Sequence, residues 1–229
     1  MLPRMQFPIP TKALRLACVV LVLAAALAAQ ARHPVSGRVI AGVMGVAGAP
    51  WLERPERELE ESPRKAIGLL GLKPGMVVAD VGAGSGYYTY LLSRAVGPEG
   101  KVYATDIQPG MLRLLERKLA SRKITNVETV LGTETDPRLP DTCCDLILMV
   151  DVYHEFAQPQ LMLRKLKPAL KPGGRLVLLE FRKEDPTVPI REEHKMSVAE
   201  ARLELEHEGY KFDAVLNGLP WQHILIFRP

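Results

Sequence analysis

Cysteine is scarce in this chain, with three in 229 residues. Cys18 lies in an apolar leader, and Cys143 and Cys144 are neighbours. Adjacent cysteines cannot staple distant segments, so no disulfide framework supports the fold. The pair reads as two small apolar residues at a strand start; a strained vicinal disulfide is the alternative. Acids are missing from the first 31 positions, where Arg4, Lys12 and Arg15 precede an apolar run over residues 16–29 and the stretch Ala29-Gln30-Ala31. A positive start, a short apolar core and an Ala-x-Ala site predict a secretory signal peptide over residues 1–31, cut after Ala31, and so an exported, periplasmic protein. An uncleaved membrane anchor is the alternative. The run is too short to cross a bilayer comfortably, and membrane contact is expected through this leader alone.

A strong charge bias is also missing. The formal charge is +4, but setting aside the leader's three basic residues leaves 27 basic against 26 acidic residues, a net of +1. Nothing in that balance asks for nucleic acid as a partner. The basic face Arg113, Arg117, Lys118, Arg122 and Lys123 reads as a solvated helix surface. With 47% hydrophobic and 24% charged residues the chain is an ordinary globular sequence, which excludes wholesale disorder. It has no internal repeat. It also has no His-x-x-x-His pair, so no metal is expected, although His154, Glu155 and Glu180 are the ligand types a metal would use.

What is present is one organising stretch, residues 76–92. A short apolar run carries the acid Asp80 and is followed by three alternating glycines, Gly82, Gly84 and Gly86, then by an apolar-aromatic helical pattern. This reads as a buried strand, a tight turn that a ligand approaches closely, and a helix start. A dinucleotide fingerprint would need its third glycine at position 87, which is Tyr87. That substitution speaks against a nicotinamide oxidoreductase.

Strands and helices alternate from there. Strands are expected over residues 77–81, 101–106, 126–131, 145–150, 175–180, 210–216 and 224–227. Helices are expected over 87–96, 109–122, 160–170 and 197–208, the last opened by Ser197 with Glu200 three residues on, a capping box. The alternation predicts an α/β fold with an open, mostly parallel seven-stranded sheet and helices on both faces. Residues 32–62 read as an arm, partly helical, that folds over a domain spanning 63–229.

Ligands of such sheets bind beyond the carboxyl ends of the strands. Strand one ends in Asp80 and the glycine turn, and strand two in Asp106, suited to accepting two ribose hydroxyls. Strand four ends in Asp151-Val152-Tyr153-His154-Glu155, and strand five follows Lys171-Pro172-Gly173-Gly174 and ends at Glu180. The ordered series Val-Ala-Asp-Val-Gly-Ala-Gly-Ser-Gly, Val-Tyr-Ala-Thr-Asp-Ile, Cys-Asp-Leu-Ile-Leu-Met-Val-Asp and Leu-Lys-Pro-Gly-Gly-Arg-Leu-Val-Leu resembles the motifs of class I methyltransferases that use S-adenosylmethionine (SAM). It covers residues 60–182. The resemblance implies a Rossmann-like sheet whose last strand is antiparallel, with SAM as cofactor. Asp80, Gly82, Gly84 and Gly86 would hold its methionine part, Asp106 its ribose and Ile107 its adenine, and Asp151 would sit beside the methyl. Many relatives carry an acid where this chain has Thr133, with Glu134 next, so the adenine-amine contact departs from the pattern.

SAM already carries an activated leaving group, so the protein aligns the nucleophile, excludes water and, for some acceptors, removes a proton. His154 and Glu155 are the candidates for that proton; the alternative is that they brace the next helix. Tyr153, Glu180, His194 and Lys195 are assigned to the substrate side. The reading is a SAM-dependent methyltransferase acting on a small-molecule or protein-borne acceptor. A non-catalytic module binding SAM or S-adenosylhomocysteine is the alternative, because SAM is made in the cytoplasm and the leader points outward.

Overall fold

The computed structural model describes residues 31–229. The expected signal peptide therefore lies, but for Ala31, outside the described residues. Residues 32–229 form one compact unit. Among the described residues no helix is long and apolar enough to cross a membrane.

The unit is built on a sheet of strands β1 (Val77–Val81), β2 (Lys101–Asp106), β3 (Val127–Leu131), β4 (Cys144–Val150), β5 (Leu170–Arg182), β6 (Lys195–Met196), β7 (Lys211–Leu216) and β8 (Gln222–Arg228). Their order is β3-β2-β1-β4-β5-β8-β7, with β6 paired beside β5. β1 to β5 run parallel, and β8 is antiparallel to both β5 and β7, as expected for the last strand. The seven expected strands are all present in that order, and β6 adds an eighth beside it. β6 is two residues long and shows no period-two signal; it exists because residues 195–196 lie beside Phe181 and Arg182. β5 also starts earlier than expected. Leu170 pairs with Cys144 and Arg175 with Leu146, so the Pro-Gly-Gly turn is an irregularity within the strand.

The sequence explains the core directly. β4 is an unbroken apolar run, and Leu146, Ile147, Leu148 and Met149 are all fully buried, as a strand covered on both faces requires. On one face pack α4 (Tyr87–Val96) and α3 (Pro63–Leu69) through Tyr88, Leu92, Val96 and Ala66. On the other face lie α6 (Pro159–Ala169) and α7 (Val198–His207) through Leu163, Leu166, Ala201 and Leu205. α5 (Pro109–Ser121) starts with proline at its first position and buries Met111, Leu112, Leu115 and Leu119 along one stripe. Truncating Leu115 to alanine would cost about 2–5 kcal/mol on the usual scale for a filled core site. α7 opens with the expected capping box between Ser197 and Glu200.

The strand order reverses between β1 and β4, which opens a crevice at their carboxyl ends. The arm lies across that end. It runs through a 3-10 turn (Val46–Gly48), α1 (Ala49–Leu52) and α2 (Arg57–Glu60). The Ala41 amide donates to the carbonyl of His154 (3.1 Å), and the Gln108 side-chain amide donates to the carbonyl of Met44 (2.9 Å).

Candidate active site

A cavity of about 350 Å³ occupies the crevice between the strand ends and the arm. The glycine turn forms one wall. The Gly82 and Ala83 amides both donate to the Thr105 carbonyl (2.8 and 3.0 Å), which ties the turn to β2. Gly82 has φ +76°, and a Cβ there would overlap the Val152 side chain; Gly86 has φ +81°, and its Cβ would overlap Leu115. Glycine is needed at both by backbone sign and by space. Gly82 and Gly84 line the cavity. Gly86 and Asp80 shape the turn from behind. Asp80 is buried and accepts a hydrogen bond from the Thr89 hydroxyl (2.6 Å); burial pushes its carboxyl up to about 6.

Asp106, Ile107 and Thr133 line the cavity, and Glu134 joins them. One Asp106 oxygen accepts from the Gly84 amide (2.9 Å) and the other from the Gln108 amide (2.8 Å). Burial raises the Asp106 pKa and these amides oppose the rise. The carboxylate is thus fixed in orientation before any ligand arrives.

Asp151 follows β4 with φ +48°, a left-handed conformation that costs a non-glycine residue about 1–3 kcal/mol. One carboxylate oxygen accepts from the Gln222 side chain (2.7 Å); the other is buried without a partner among the described residues. Burial, with Glu61 and Glu180 nearby, pushes this carboxyl well above the usual range. Beside it lies Arg57, from the arm, buried yet lining the cavity. Its Nε donates to Glu61 (2.7 Å) and its Nη1 to the Leu52 carbonyl (2.9 Å). Sequence reasoning missed Arg57 and Glu61, because an acidic first turn with interspersed arginine reads as a solvated helix.

The segment after β4 forms a 3-10 turn (Tyr153–Glu155). Its successive side chains diverge. Tyr153 points into the core, edge-on to Phe156 at 5.6 Å and beneath the Arg38 guanidinium at 5.5 Å, so the expectation that it meets substrate is corrected. His154 and Glu155 line the cavity, and burial pushes the Glu155 carboxyl up to about 7. Glu180 is fully buried and reaches the cavity through a partner: its Oε2 lies 2.6 Å from His154 Nδ1, and its Oε1 accepts from the Tyr153 amide (3.1 Å). His154 Nε2 lies 3.1 Å from His194 Nδ1, and Arg191 Nη2 is 3.0 Å from His194 Nε2. His194 lines the cavity. Lys195, next in the chain, is buried within β6 and does not line it, because the chain leaves a 3-10 turn (Glu192–His194) there and pairs with β5 at Phe181, so the expectation that it meets substrate is corrected.

His154, Glu155 and His194 offer three ligand atoms within 4.8 Å of one another, a set that a divalent cation could use. The Arg191 guanidinium disfavours that use. It is a positive charge against the set, and as a donor it requires a lone pair on His194 Nε2, leaving the proton on Nδ1 where a cation would have to bind. The contacts suit a chain of hydrogen bonds better.

The sequence matches the methyltransferase-domain family over residues 72–223. A crystal structure of a SAM-dependent methyltransferase from Aquifex aeolicus is 32% identical, covers 81% of this chain and 98% of that one, and superposes with a TM-score of 0.76. The chain belongs to the class I SAM-dependent methyltransferases. SAM is accordingly its cofactor. Among curated relatives, this methyltransferase is 36% identical over 121 residues to the ubiquinone/menaquinone biosynthesis C-methyltransferase UbiE of Shewanella oneidensis, covering 52% of this chain and 48% of that protein. It is 32% identical over 117 residues to UbiE of Burkholderia multivorans, covering 51% and 48%. The chain spans about half the length of the curated relatives it matches. The cavity suits SAM on its own terms. The turn leaves its backbone open to close approach, Asp106 holds two oriented acceptor oxygens, and the unpartnered Asp151 oxygen and the buried Arg57 guanidinium offer an acceptor and a positive charge for a zwitterion's two ends.

Proposed function

We propose that this protein transfers the methyl group of SAM to a small, largely apolar acceptor held between the arm and residues 189–194. When bound, SAM supplies a sulfonium methyl ready for in-line displacement. The chain's residues do the rest. Gly82 and Gly84 admit the methionine part, with Arg57 toward its carboxylate and Asp151 toward its ammonium. Asp106 accepts from the ribose hydroxyls, and Ile107 and Thr133 flank adenine. Met44, Phe156, Phe181 and Ile190 form an apolar wall that excludes water and packs the acceptor. His154, Glu155 and His194 meet its polar atom.

The observation that carries this reading is the single cavity joining the glycine turn, Asp106 and the unpartnered Asp151 oxygen to the two histidines. The acceptor class draws support from the wall, and from the relatives named for C-methylation in ubiquinone and menaquinone biosynthesis. Calorimetric titration of the full chain with SAM and S-adenosylhomocysteine tests the cofactor site; no detectable heat with either overturns it. Methyl release with phenol, thiol, amine and carboxylate acceptors then separates an enzyme from a binding module, since turnover of any of them defeats the latter.

We further propose export, on the strength of the basic start, apolar run and Ala-x-Ala site. N-terminal sequencing of the protein from its host, by cell fraction, decides it; an intact Met1 on cytoplasmic protein overturns it.

A further inference from the structure

Glu180, His154, His194 and Arg191 stand in a line that ends in the cavity. One proton assignment satisfies all of their contacts. A carboxylate has no proton to give, so His154 Nδ1 donates to Glu180 (2.6 Å) and His154 Nε2 keeps its lone pair. That lone pair must receive the proton of His194 Nδ1 (3.1 Å), which leaves a lone pair on His194 Nε2. Arg191, a donor, covers it at 3.0 Å. The chain is self-consistent from a fully buried acid to an exposed arginine, and the Arg38 guanidinium and the Ala41 amide fix its centre by donating to the His154 carbonyl, each at 3.1 Å.

We infer that Glu180, His154 and His194 form a proton relay, with His194 Nε2 as the atom that takes a proton from the methyl acceptor. This rests on the methyl-transfer reading and narrows it: the acceptor is one that must lose a proton, a hydroxyl, a thiol or an acidic C–H. Its arrival displaces the Arg191 side chain, which is 73% exposed and keeps an ion pair with Glu193 (3.0 Å) when it leaves His194. The acceptor atom forms a bond to the methyl carbon as the carbon–sulfur bond breaks, its electron pair going to sulfur to give S-adenosylhomocysteine. The acceptor's proton passes to His194 Nε2, the His194 Nδ1 proton to His154 Nε2, and the His154 Nδ1 proton to Glu180. Charge thus ends as a neutral carboxylic acid in the core, with no ion left on the histidines.

His194 is the catalytic residue in this scheme; His154 and Glu180 are positioning residues that act through it. The groups facing His194 are His154, Glu155, Glu180, Arg191 and Glu193. Burial, with Arg191 adding to it, lowers its pKa below the ordinary histidine value, against the opposing pull of Glu193 and Glu180. The imidazole is therefore neutral and able to accept at pH 7.

The test uses the full chain labelled with 15N-histidine, saturated with S-adenosylhomocysteine. Long-range 15N spectra at pH 7 are expected to show both His154 and His194 neutral and protonated at Nδ1, and His154→Leu combined with Arg191→Ala, which removes both partners of the His194 ring, is expected to release the His194 tautomer. A proton on Nε2 of either ring, or a His194 signal indifferent to that double variant, overturns the relay. Methyl transfer to catechol, 1,4-naphthohydroquinone and thiophenol gives the kinetic arm. On whichever is methylated, His194→Ala is expected to lower kcat about 10²–10⁴-fold with little change in KM, the usual worth of general base catalysis. Glu180→Gln is expected to retain more activity with an altered acidic limb. An unchanged kcat in His194→Ala overturns the relay and leaves the methyltransferase reading standing. Failure to bind S-adenosylhomocysteine strikes at that reading instead.

Discussion

Arg38 and Glu204 stand 166 residues apart in the chain and meet as a buried two-point ion pair, Nε to Oε1 at 2.8 Å and Nη2 to Oε2 at 3.2 Å. The arm is pinned to α7 by this fork. The Ser36 hydroxyl also donates to Glu204, and His33 Nε2 lies 3.1 Å from it. Burial and the neighbouring guanidinium hold His33 down at about 4, so it meets Glu204 as a neutral N–H donor rather than as an ion. Arg38→Ala would leave Glu204 charged in the core with its main partner gone. The expected loss is about 3–5 kcal/mol in urea unfolding of the full chain. Arg38→Lys retains charge without the fork and should recover part of it. A loss below 1 kcal/mol would mean that the arm is not held here.

Asp106 has two tasks that a single substitution removes together. Its oxygens hold the Gly84 and Gln108 amides, and in the cofactor complex they would accept the ribose hydroxyls. Asp106→Ala is expected to weaken SAM binding by about 1.5–3 kcal/mol, the scale of a hydrogen bond to a charged group. Asp106→Asn keeps one acceptor oxygen and turns an NH2 toward an amide that needs an acceptor, so an intermediate loss is expected by calorimetry. Equal affinity in all three proteins would remove Asp106 from the ribose site.

Gly82 is constrained twice, by φ +76° and by Val152 in the space a Cβ would take. Gly82→Ala should destabilise the fold by about 1–3 kcal/mol through backbone strain alone, with the overlap adding to it. Adding Val152→Ala removes the two methyl groups, the nearer of them 2.4 Å from the new Cβ, keeps a tight 3.0 Å approach to its own Cβ, and leaves the strain. The double variant should therefore recover part of the urea midpoint lost in the single one; no recovery would show that strain accounts for the whole effect.

The motifs that could be read ahead are those written in contiguous residues. Asp80 to Gly86 specify a strand, a turn and a helix start through backbone chemistry that acts over seven positions, and Asp106 and Asp151 follow from where apolar runs stop. The arm was different. Residues 32–62 could be read as a cover, but nothing near Arg38 announces Glu204, and nothing in the acidic turn after Pro55 announces that Arg57 is buried beside Asp151. Such pairs are chosen by packing across the sheet. Tyr153 and His154 show a second limit. They are adjacent, one faces the core and the other the cavity, and the short 3-10 turn that parts them has no periodic pattern in sequence. Lys195 failed for a related reason, since β6 is too short to be seen and it is this strand that buries the side chain.

Asp80 makes stability depend on pH in a direction opposite to most carboxylates. Burial raises its folded-state value to about 6, opposed by the Thr89 hydrogen bond, raised further by Asp106 and lowered by Arg57, against an ordinary value of 3.8. A raised pKa means that the folded state holds its proton more tightly than the unfolded state. The contribution to stability is therefore fully present below about pH 3.8 and is lost as pH rises through about 6. Roughly two pH units at about 1.4 kcal/mol each give an expected loss of about 3 kcal/mol. Asp80→Asn cannot titrate, and its amide oxygen can still accept from Thr89. Urea unfolding from pH 4 to pH 8 should thus show the variant gaining about 3 kcal/mol on the native protein across that window. Parallel curves would mean that Asp80 ionises as readily in the fold as in water. Because Asp80 faces Thr89 and not the cavity, saturating S-adenosylhomocysteine should raise both curves alike and leave their divergence intact.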